Sequence, residues 1–197
     1  MATVTTGIAT EAASLGASLG LNDAELDLLG MLFGEFASAS GLNGTAIFTR
    51  MRQGKSIGEA LDLPKGSNEL LYDRAHKWFS AGRIDKAQPL FRALCILDGR
   101  DANYQIGYSV CLRQSGDLDQ AKLAMERALL LRPDWAVARY HAIELFARTG
   151  DWARVTAELA VFDRLPTADL PRQMLQEIDR YRLALDMRRQ HAPGGNA

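Results

Sequence analysis

Large apolar residues recur at a fixed interval around three glycines in the middle of the chain. Gly82, Gly116 and Gly150 lie 34 residues apart. A large apolar residue stands four residues before and nine residues after each glycine: Trp78 and Phe91, Leu112 and Met125, Phe146 and Leu159. Helical hairpins that stack side by side produce such a pattern, which therefore predicts three consecutive hairpins.

The 34-residue interval is the length of a tetratricopeptide repeat, which is a helix–turn–helix unit. The sequence therefore predicts an all-α fold. Three tetratricopeptide helical hairpins stack as a right-handed superhelix, with N-terminal helices and a C-terminal capping helix. The predicted segments are a disordered stretch at 1–21, N-terminal helices at 22–64, repeats at 68–101, 102–135 and 136–169, a capping helix at 170–190 and a loose tail at 191–197.

Two capping-box patterns mark the starts of helices that precede the repeats. Asn-Asp-Ala-Glu at 22–25 predicts a helix that runs to about Ala37, and Ser-Ile-Gly-Glu at 56–59 predicts a short helix that ends near Leu61. Another helix is expected over about 45–53. Two roles for these helices stay open: a dimerisation surface, or a lid that folds back on the repeats.

The first helix of each hairpin carries apolar residues that the hairpin core does not need. Counted from the start of a repeat, positions 2, 5, 9 and 12 face the concave surface of the stack. Water-facing positions have no use for so many aromatic and aliphatic side chains, so they predict a groove for an extended apolar peptide. The candidate peptide-binding residues are Tyr72, His76, Phe79, Ile106, Val110, Val137, Tyr140 and Glu144. The alternative is that the N-terminal helices or the C-terminal helix fill this groove.

Composition narrows the class of partner. The 197 residues carry 23 basic and 24 acidic side chains, a formal charge of −1, which favours neither nucleic acid nor an anionic membrane as a partner. Cys95 and Cys111 are too few for a disulfide framework and are typical of a reducing cytoplasm. Residues 1–20 lack the basic start of a secretory signal, so we expect a cytoplasmic protein.

The sequence carries no pattern of catalytic residues. His76, His141 and His191 do not have the spacing of metal ligands, and no phosphate-binding loop or dinucleotide fingerprint occurs. We therefore expect a protein that is not an enzyme and that needs no metal or cofactor. A clamp for acidic peptide tails is also not expected, because Tyr72, His76 and Val137 occupy positions where such a clamp needs cations or amides.

One stretch is more specific than the repeat pattern. The segment 71–82, Leu-Tyr-Asp-Arg-Ala-His-Lys-Trp-Phe-Ser-Ala-Gly, continues into Ala-Leu-Cys-Ile-Leu-Asp at 93–98. With Gly107, Cys111 and Tyr-His-Ala at 140–142, it resembles the class II chaperones of bacterial type III secretion. The likeness extends over about 45–185 and includes Gly-Lys-Ser-Ile-Gly-Glu at 54–59.

The resemblance implies a cytoplasmic chaperone whose concave groove holds an extended segment of a hydrophobic translocator protein, of the form Pro-x-Leu-x-x-Pro. Tyr72, Phe79 and Tyr140 would line the peptide pockets, with Ile106 and Val110 between them. It also implies dimerisation through the N-terminal helices, and in some members assistance to a transcriptional activator. The chain departs from the family in its longer extension at 1–44 and in His76, which replaces a large apolar residue and makes one pocket more polar.

Three other functions fit the repeats. A general scaffold that joins two folded proteins would favour a polar concave face over an aromatic groove. A chaperone for needle subunits would hold a single amphipathic helix. A co-regulator would act through a transcriptional activator.

Overall fold

The computed structural model describes residues 22–191, and the predicted disordered stretch at 1–21 and residues 192–197 of the tail lie outside them. Within the described residues the fold is all-α, without a strand. Ten helices follow one another: α1 (Asp23–Ala39), α2 (Gly44–Arg52), α3 (Ile57–Ala60), α4 (Ser67–Ser80), α5 (Ile84–Leu97), α6 (Ala102–Ser115), α7 (Leu118–Leu131), α8 (Ala136–Arg148), α9 (Trp152–Phe162) and α10 (Arg172–His191).

The first unit of the chain ends at Asn68 and contains α1, α2 and α3. Both predicted capping boxes form. The Glu25 backbone N–H donates to Asn22 Oδ1 at 3.0 Å, and the equivalent Glu59 N–H donates to Ser56 Oγ at 3.2 Å. Helix α1 runs two residues further than predicted, to Ala39, and α3 ends one residue earlier, at Ala60.

The second unit begins at Glu69 and contains the three hairpins α4–α5, α6–α7 and α8–α9. Each turn glycine has a left-handed backbone, with φ of 71° at Gly82, 92° at Gly116 and 75° at Gly150. The residue after each glycine donates its N–H to a carbonyl five residues earlier, as Asp117 does to Leu112 at 3.0 Å. These bonds satisfy carbonyls that the helix end leaves unpaired, so the 34-residue period is a repeated helix-ending turn.

Small residues allow the helices of the second unit to cross closely. The alanines at the crossings are fully buried: Ala75, Ala87, Ala121, Ala128 and Ala142. At one crossing the Ser109 hydroxyl donates to the Ala121 carbonyl at 2.7 Å, which satisfies both buried groups. Phe91, Leu94, Leu112, Met125, Phe146 and Phe162 fill the remaining interior, as the sequence predicts.

Helix α10 packs on the third hairpin. Ile178 and Leu185 enter the core formed by the second and third hairpins. Arg188 lies over the Trp152 ring, with its guanidinium carbon 4.6 Å from the ring centre. The C-terminal cap and the stacked hairpins predicted from the sequence are therefore confirmed, with the helix at 172–191 instead of 170–190. No helix between residues 22 and 191 has the length and apolar character needed to cross a lipid bilayer.

Candidate functional site

A cavity of about 310 Å³ lies between the first helices of the three hairpins, α4, α6 and α8. Among the described residues that line it, none is Asp, Glu, Lys or Arg, and two are histidines. The lining residues are Tyr72, His76, Phe79, Phe91, Asn103, Ile106, Gly107, Val110, Trp135, Val137 and His141. The cavity therefore has apolar and aromatic walls with a few polar groups, which is the usual character of a binding site.

Helical spacing brings the lining residues of the first repeat together. Tyr72, His76 and Phe79 are four and three residues apart on α4, so they share one face of the helix. Ile106 and Val110 share a face of α6 in the same way, and both are more than nine-tenths buried. The two aliphatic residues thus form the covered part of the lining, and the α4 residues are the more accessible part.

An aromatic cluster holds Tyr72 in place. Its ring lies edge-on to Phe91, with 5.9 Å between ring centres, and 5.6 Å from the ring centre of Tyr104. Burial, together with the negative charges of Asp101 and Asp73, raises the pKa of the Tyr72 phenol. The side chain is therefore a neutral, well-supported ring at physiological pH.

Gly107 allows α6 to approach Phe91. A methyl group added to Gly107 would lie 2.3 Å from Phe91 Cε1, far inside van der Waals contact. The absence of a side chain at residue 107 therefore lets the Phe91 ring lie against the backbone of α6 and reach the cavity wall.

The third repeat contributes Val137 and His141 to the lining, and Trp135 comes from the segment that precedes α8. The guanidinium carbon of Arg132 lies 4.0 Å from the centre of the Trp135 ring, which fixes the ring by a cation–π contact. Trp135 and His141 lie outside positions 2, 5, 9 and 12 of each repeat, so the concave pattern does not predict them.

Two candidate residues lie outside this lining. Tyr140 is 7% exposed, and its hydroxyl donates a hydrogen bond to a Glu177 carboxylate oxygen on α10. Burial and this hydrogen bond raise the pKa of the Tyr140 phenol. The expectation of an apolar stripe accessible from Tyr72 as far as Tyr140 is therefore corrected, because the C-terminal helix covers the Tyr140 end of the stripe.

Glu144, the other candidate outside the lining, is the centre of a partly buried ionic cluster. One of its oxygens pairs with Arg113 Nη1 and lies 3.5 Å from His141 Nδ1. Burial alone would raise the pKa of Glu144, but hydrogen bonds from His141 and Arg113 outweigh it and lower that pKa. Glu144 is therefore an anion that compensates the charge of Arg113.

Neither cysteine is a reactive nucleophile. Burial raises the pKa of the Cys95 thiol to about 12 and that of the Cys111 thiol to about 12, so both are protonated and unreactive at neutral pH. Within the part of the chain that the structure describes, no three His, Cys, Asp or Glu side chains are grouped so that they could hold a metal ion.

The structure thus brings six of the eight predicted site residues into one cavity lining: Tyr72, His76, Phe79, Ile106, Val110 and Val137. Phe91, Asn103, Gly107, Trp135 and His141 complete the lining. Asn103 could have been chosen from the sequence, since it occupies a concave position, whereas Phe91 satisfies a core pattern and enters the lining only because residue 107 lacks a side chain.

Known proteins that resemble the chain in sequence and fold include chaperones. No model of a known protein family matches the chain. Low calcium response locus protein H of Yersinia pseudotuberculosis is 25% identical over 121 residues, which are 61% of this chain and 71% of that protein. The type III secretion chaperone SycD of Yersinia enterocolitica, solved with a peptide of the translocator YopD, has a TM-score of 0.59 at 22% identity and covers 65% of this chain and 98% of its own.

A second solved structure has higher identity. PcrH of Pseudomonas aeruginosa, in complex with the chaperone-binding region of PopD, is 26% identical with a TM-score of 0.59. The match covers 65% of this chain and 97% of that one. Similarity in sequence and in fold points to the same group of proteins, and the resemblance carried by the motifs at 71–82 and 140–142 is confirmed: the chain is similar to translocator chaperones of type III secretion.

Proposed function

We propose that this chain is a cytoplasmic chaperone of a type III secretion system. It binds an extended segment of a hydrophobic translocator protein in the cavity between α4, α6 and α8, and keeps that protein soluble and competent for secretion. SycD was solved with a peptide of the translocator YopD, and PcrH was solved with the chaperone-binding region of PopD.

The observation that carries the proposal is the partly aromatic lining of the cavity, whose described residues include no Asp, Glu, Lys or Arg. Each apolar side chain that a guest segment buries there contributes about 1.5–3 kcal/mol. The polar side chains of Asn103, His76 and His141 in the lining supply hydrogen-bonding capacity for a peptide backbone. A short linear segment of a translocator satisfies both requirements, whereas a folded partner would leave the cavity unfilled.

Binding of this kind prevents aggregation without any chemical step. A translocator carries long apolar segments that associate with one another or enter a membrane when they are exposed. A chaperone that occupies one linear segment keeps the cargo incompletely folded and soluble, and the secretion machinery releases it. We infer that the chain is not an enzyme, in keeping with the chaperone class of its relatives.

The proposal includes two further partners, a second copy of the chain and a transcriptional activator. SycD has been solved as an alternative dimer, and α1 of this chain exposes a row of large apolar residues: Leu28, Met31 and Leu32. We propose that residues 22–64 form a homodimer surface. Assistance to a transcriptional activator is proposed on the family resemblance alone.

Co-expression tests the function. The translocator of the same secretion system, expressed alone, is expected in the insoluble fraction, and co-expression with this chain is expected to move it to the soluble fraction. Co-expression with the needle subunit of that system serves as the comparison, because a needle-subunit chaperone would solubilise that protein instead. A translocator that stays insoluble beside the folded chain would contradict the proposal.

Two variants locate the binding site. His76→Glu with Val137→Glu places two carboxylates in the cavity lining, and loss of translocator from the soluble fraction is expected. The matched control is Leu130→Glu, which adds a carboxylate at an 82% exposed position of α7 outside the lining. Retention of full activity by the folded double variant would show that the cargo binds elsewhere.

A further inference from the structure

The buried ion pair Arg113–Glu144 continues the two faces that line the cavity. Arg113 follows Ile106 and Val110 on α6 at spacings of four and three residues, and Glu144 follows Val137 and His141 on α8 at the same spacings. Residues at these spacings share one face of a helix. The helix faces that line the cavity therefore continue into the Arg113–Glu144 pair. His141 lines the cavity, and its Nδ1 atom lies 3.5 Å from the Glu144 carboxylate.

Within the described residues, the positive charge of Arg113 is paired with the carboxylate of Glu144 alone. The Arg113 side chain is 8% exposed. The buried atoms Arg113 Nη1 and His141 Nδ1 have no hydrogen-bond partner besides this carboxylate. Burial and the negative charges of Glu144 and Glu177 raise the pKa of the Tyr181 phenol on α10, and the charge of Arg113 opposes them. The C-terminal helix therefore lies beside the cluster.

We propose that Glu144 determines the specificity of the cavity by neutralising Arg113, so that the site accepts neutral apolar segments and rejects segments with an acidic residue facing the third repeat. This inference rests on the proposed function. Without Glu144, the guanidinium charge would attract a carboxylate, because a buried charge acts through a low effective dielectric constant. With Glu144 in place, a guest carboxylate would lose its hydration and gain no compensating cation.

Synthetic peptides test the specificity. The neutral probe is acetyl-Ala-Pro-Ala-Leu-Ala-Ala-Pro-Ala-amide with a fluorescent label, and three further probes replace one of the alanines within the Pro-x-Leu-x-x-Pro frame by glutamate. The wild-type chain is expected to bind at least one glutamate probe about tenfold more weakly than the neutral probe. Glu144→Gln should remove that difference while leaving the affinity for the neutral probe within about twofold.

Two other variants distinguish charge from structural damage. Arg113→Met with Glu144→Gln removes both charges and should restore the wild-type discrimination. Arg113→Gln leaves Glu144 uncompensated, so it should strengthen binding of a probe that carries lysine at the discriminating position, and it serves as the test if Glu144→Gln does not fold.

The outcomes separate this inference from the proposed function. Failure of the folded wild-type chain to bind the neutral probe would overturn the proposed function, and the specificity with it. Binding of the neutral and all three glutamate probes with equal affinity would overturn the role of Glu144 alone. The role of Glu144 would also be overturned if neither Glu144→Gln nor Arg113→Gln changes the ratio of affinities for the neutral and glutamate probes.

Discussion

The hydroxyl group of Tyr140 donates a hydrogen bond to the carboxylate of Glu177, which joins the third repeat to the C-terminal helix across 37 positions of sequence. The same contact covers a residue that would otherwise extend the apolar cavity lining. One side chain thus stabilises the attachment of α10 and marks the end of the accessible groove.

Loss of this hydrogen bond should destabilise the chain. Tyr140→Phe removes the donor to Glu177 Oε2, while Gln173 Nε2 still donates to Glu177 Oε1 at 3.3 Å. Hydrogen bonds to charged groups contribute about 1.5–3 kcal/mol. Urea unfolding is expected to show a decrease in unfolding free energy of about 1.5 kcal/mol, since Glu177 remains partly accessible to water. The matched control is Tyr72→Phe, because no hydrogen bond is formed by the Tyr72 hydroxyl within the described residues. Equal stability of the two variants would contradict the importance of the Tyr140 contact.

The contact between Gly107 and Phe91 should appear as coupling between two substitutions. Gly107→Ala gains about 1 kcal/mol in helix propensity, but its methyl group meets the Phe91 ring at 2.3 Å. Overpacking of this kind costs about 1–3 kcal/mol, so a net loss of stability is expected. In a Phe91→Ala background the ring is absent, and Gly107→Ala should then be neutral or stabilising. Chemical denaturation measures the free energy of unfolding of each variant. If the effects of Gly107→Ala and Phe91→Ala on it are additive, the two residues are not in contact.

The lowered pKa of Glu144 makes part of the stability depend on pH. A carboxyl group whose folded pKa is lower than its unfolded pKa stabilises the fold above the unfolded value, and that contribution disappears as the pH falls through the folded pKa. The unfolded reference here is 4.5. Glu144→Gln should be less stable than wild type by about 3 kcal/mol near neutral pH, because Arg113 loses its partner.

The difference in unfolding free energy between wild type and Glu144→Gln should shrink as the pH falls below 4.5. Unfolding curves of both proteins over a pH series measure it. Glu126→Gln provides the control, since Glu126 pairs with Arg154 at 3.4 Å with 46% of its side chain exposed, and its effect should be small. A constant difference between wild type and Glu144→Gln at all pH values would exclude the ionic contribution.

The turn at Gly116 allows a test of the repeat geometry. Its φ of 92° is strained for any residue with a Cβ atom, whereas no atom lies within 4 Å of the position that a Cβ would occupy. Gly116→Ala should therefore cost about 1–2 kcal/mol through the backbone alone, and Gly116→Asn should cost less, because asparagine tolerates this conformation better. Thermal unfolding of both variants gives the comparison. A more stable alanine variant would contradict the backbone explanation.

Local signals explain why most of the fold could be predicted from the sequence. The capping boxes at 22–25 and 56–59 and the turn glycines act within a few residues, so two helix starts and the three hairpin turns follow from neighbouring positions. Helical spacing likewise placed six of the eight candidate residues in one cavity lining.

Contacts distant in sequence explain the remainder. The burial of Tyr140 depends on where α10 packs, and nothing near residue 140 indicates Glu177 as its partner. Trp135 enters the lining from a connecting segment, where helical spacing gives no guidance. His141 was assigned to no concave position, yet the structure places it in the cavity lining.

The lack of fixed charge in the cavity lining has a kinetic consequence. Long-range attraction accelerates association only where a binding surface carries a net field, so capture of a guest here proceeds at the ordinary diffusive rate and changes little with ionic strength. The rate of capture then depends on the concentration of the chaperone rather than on electrostatic steering.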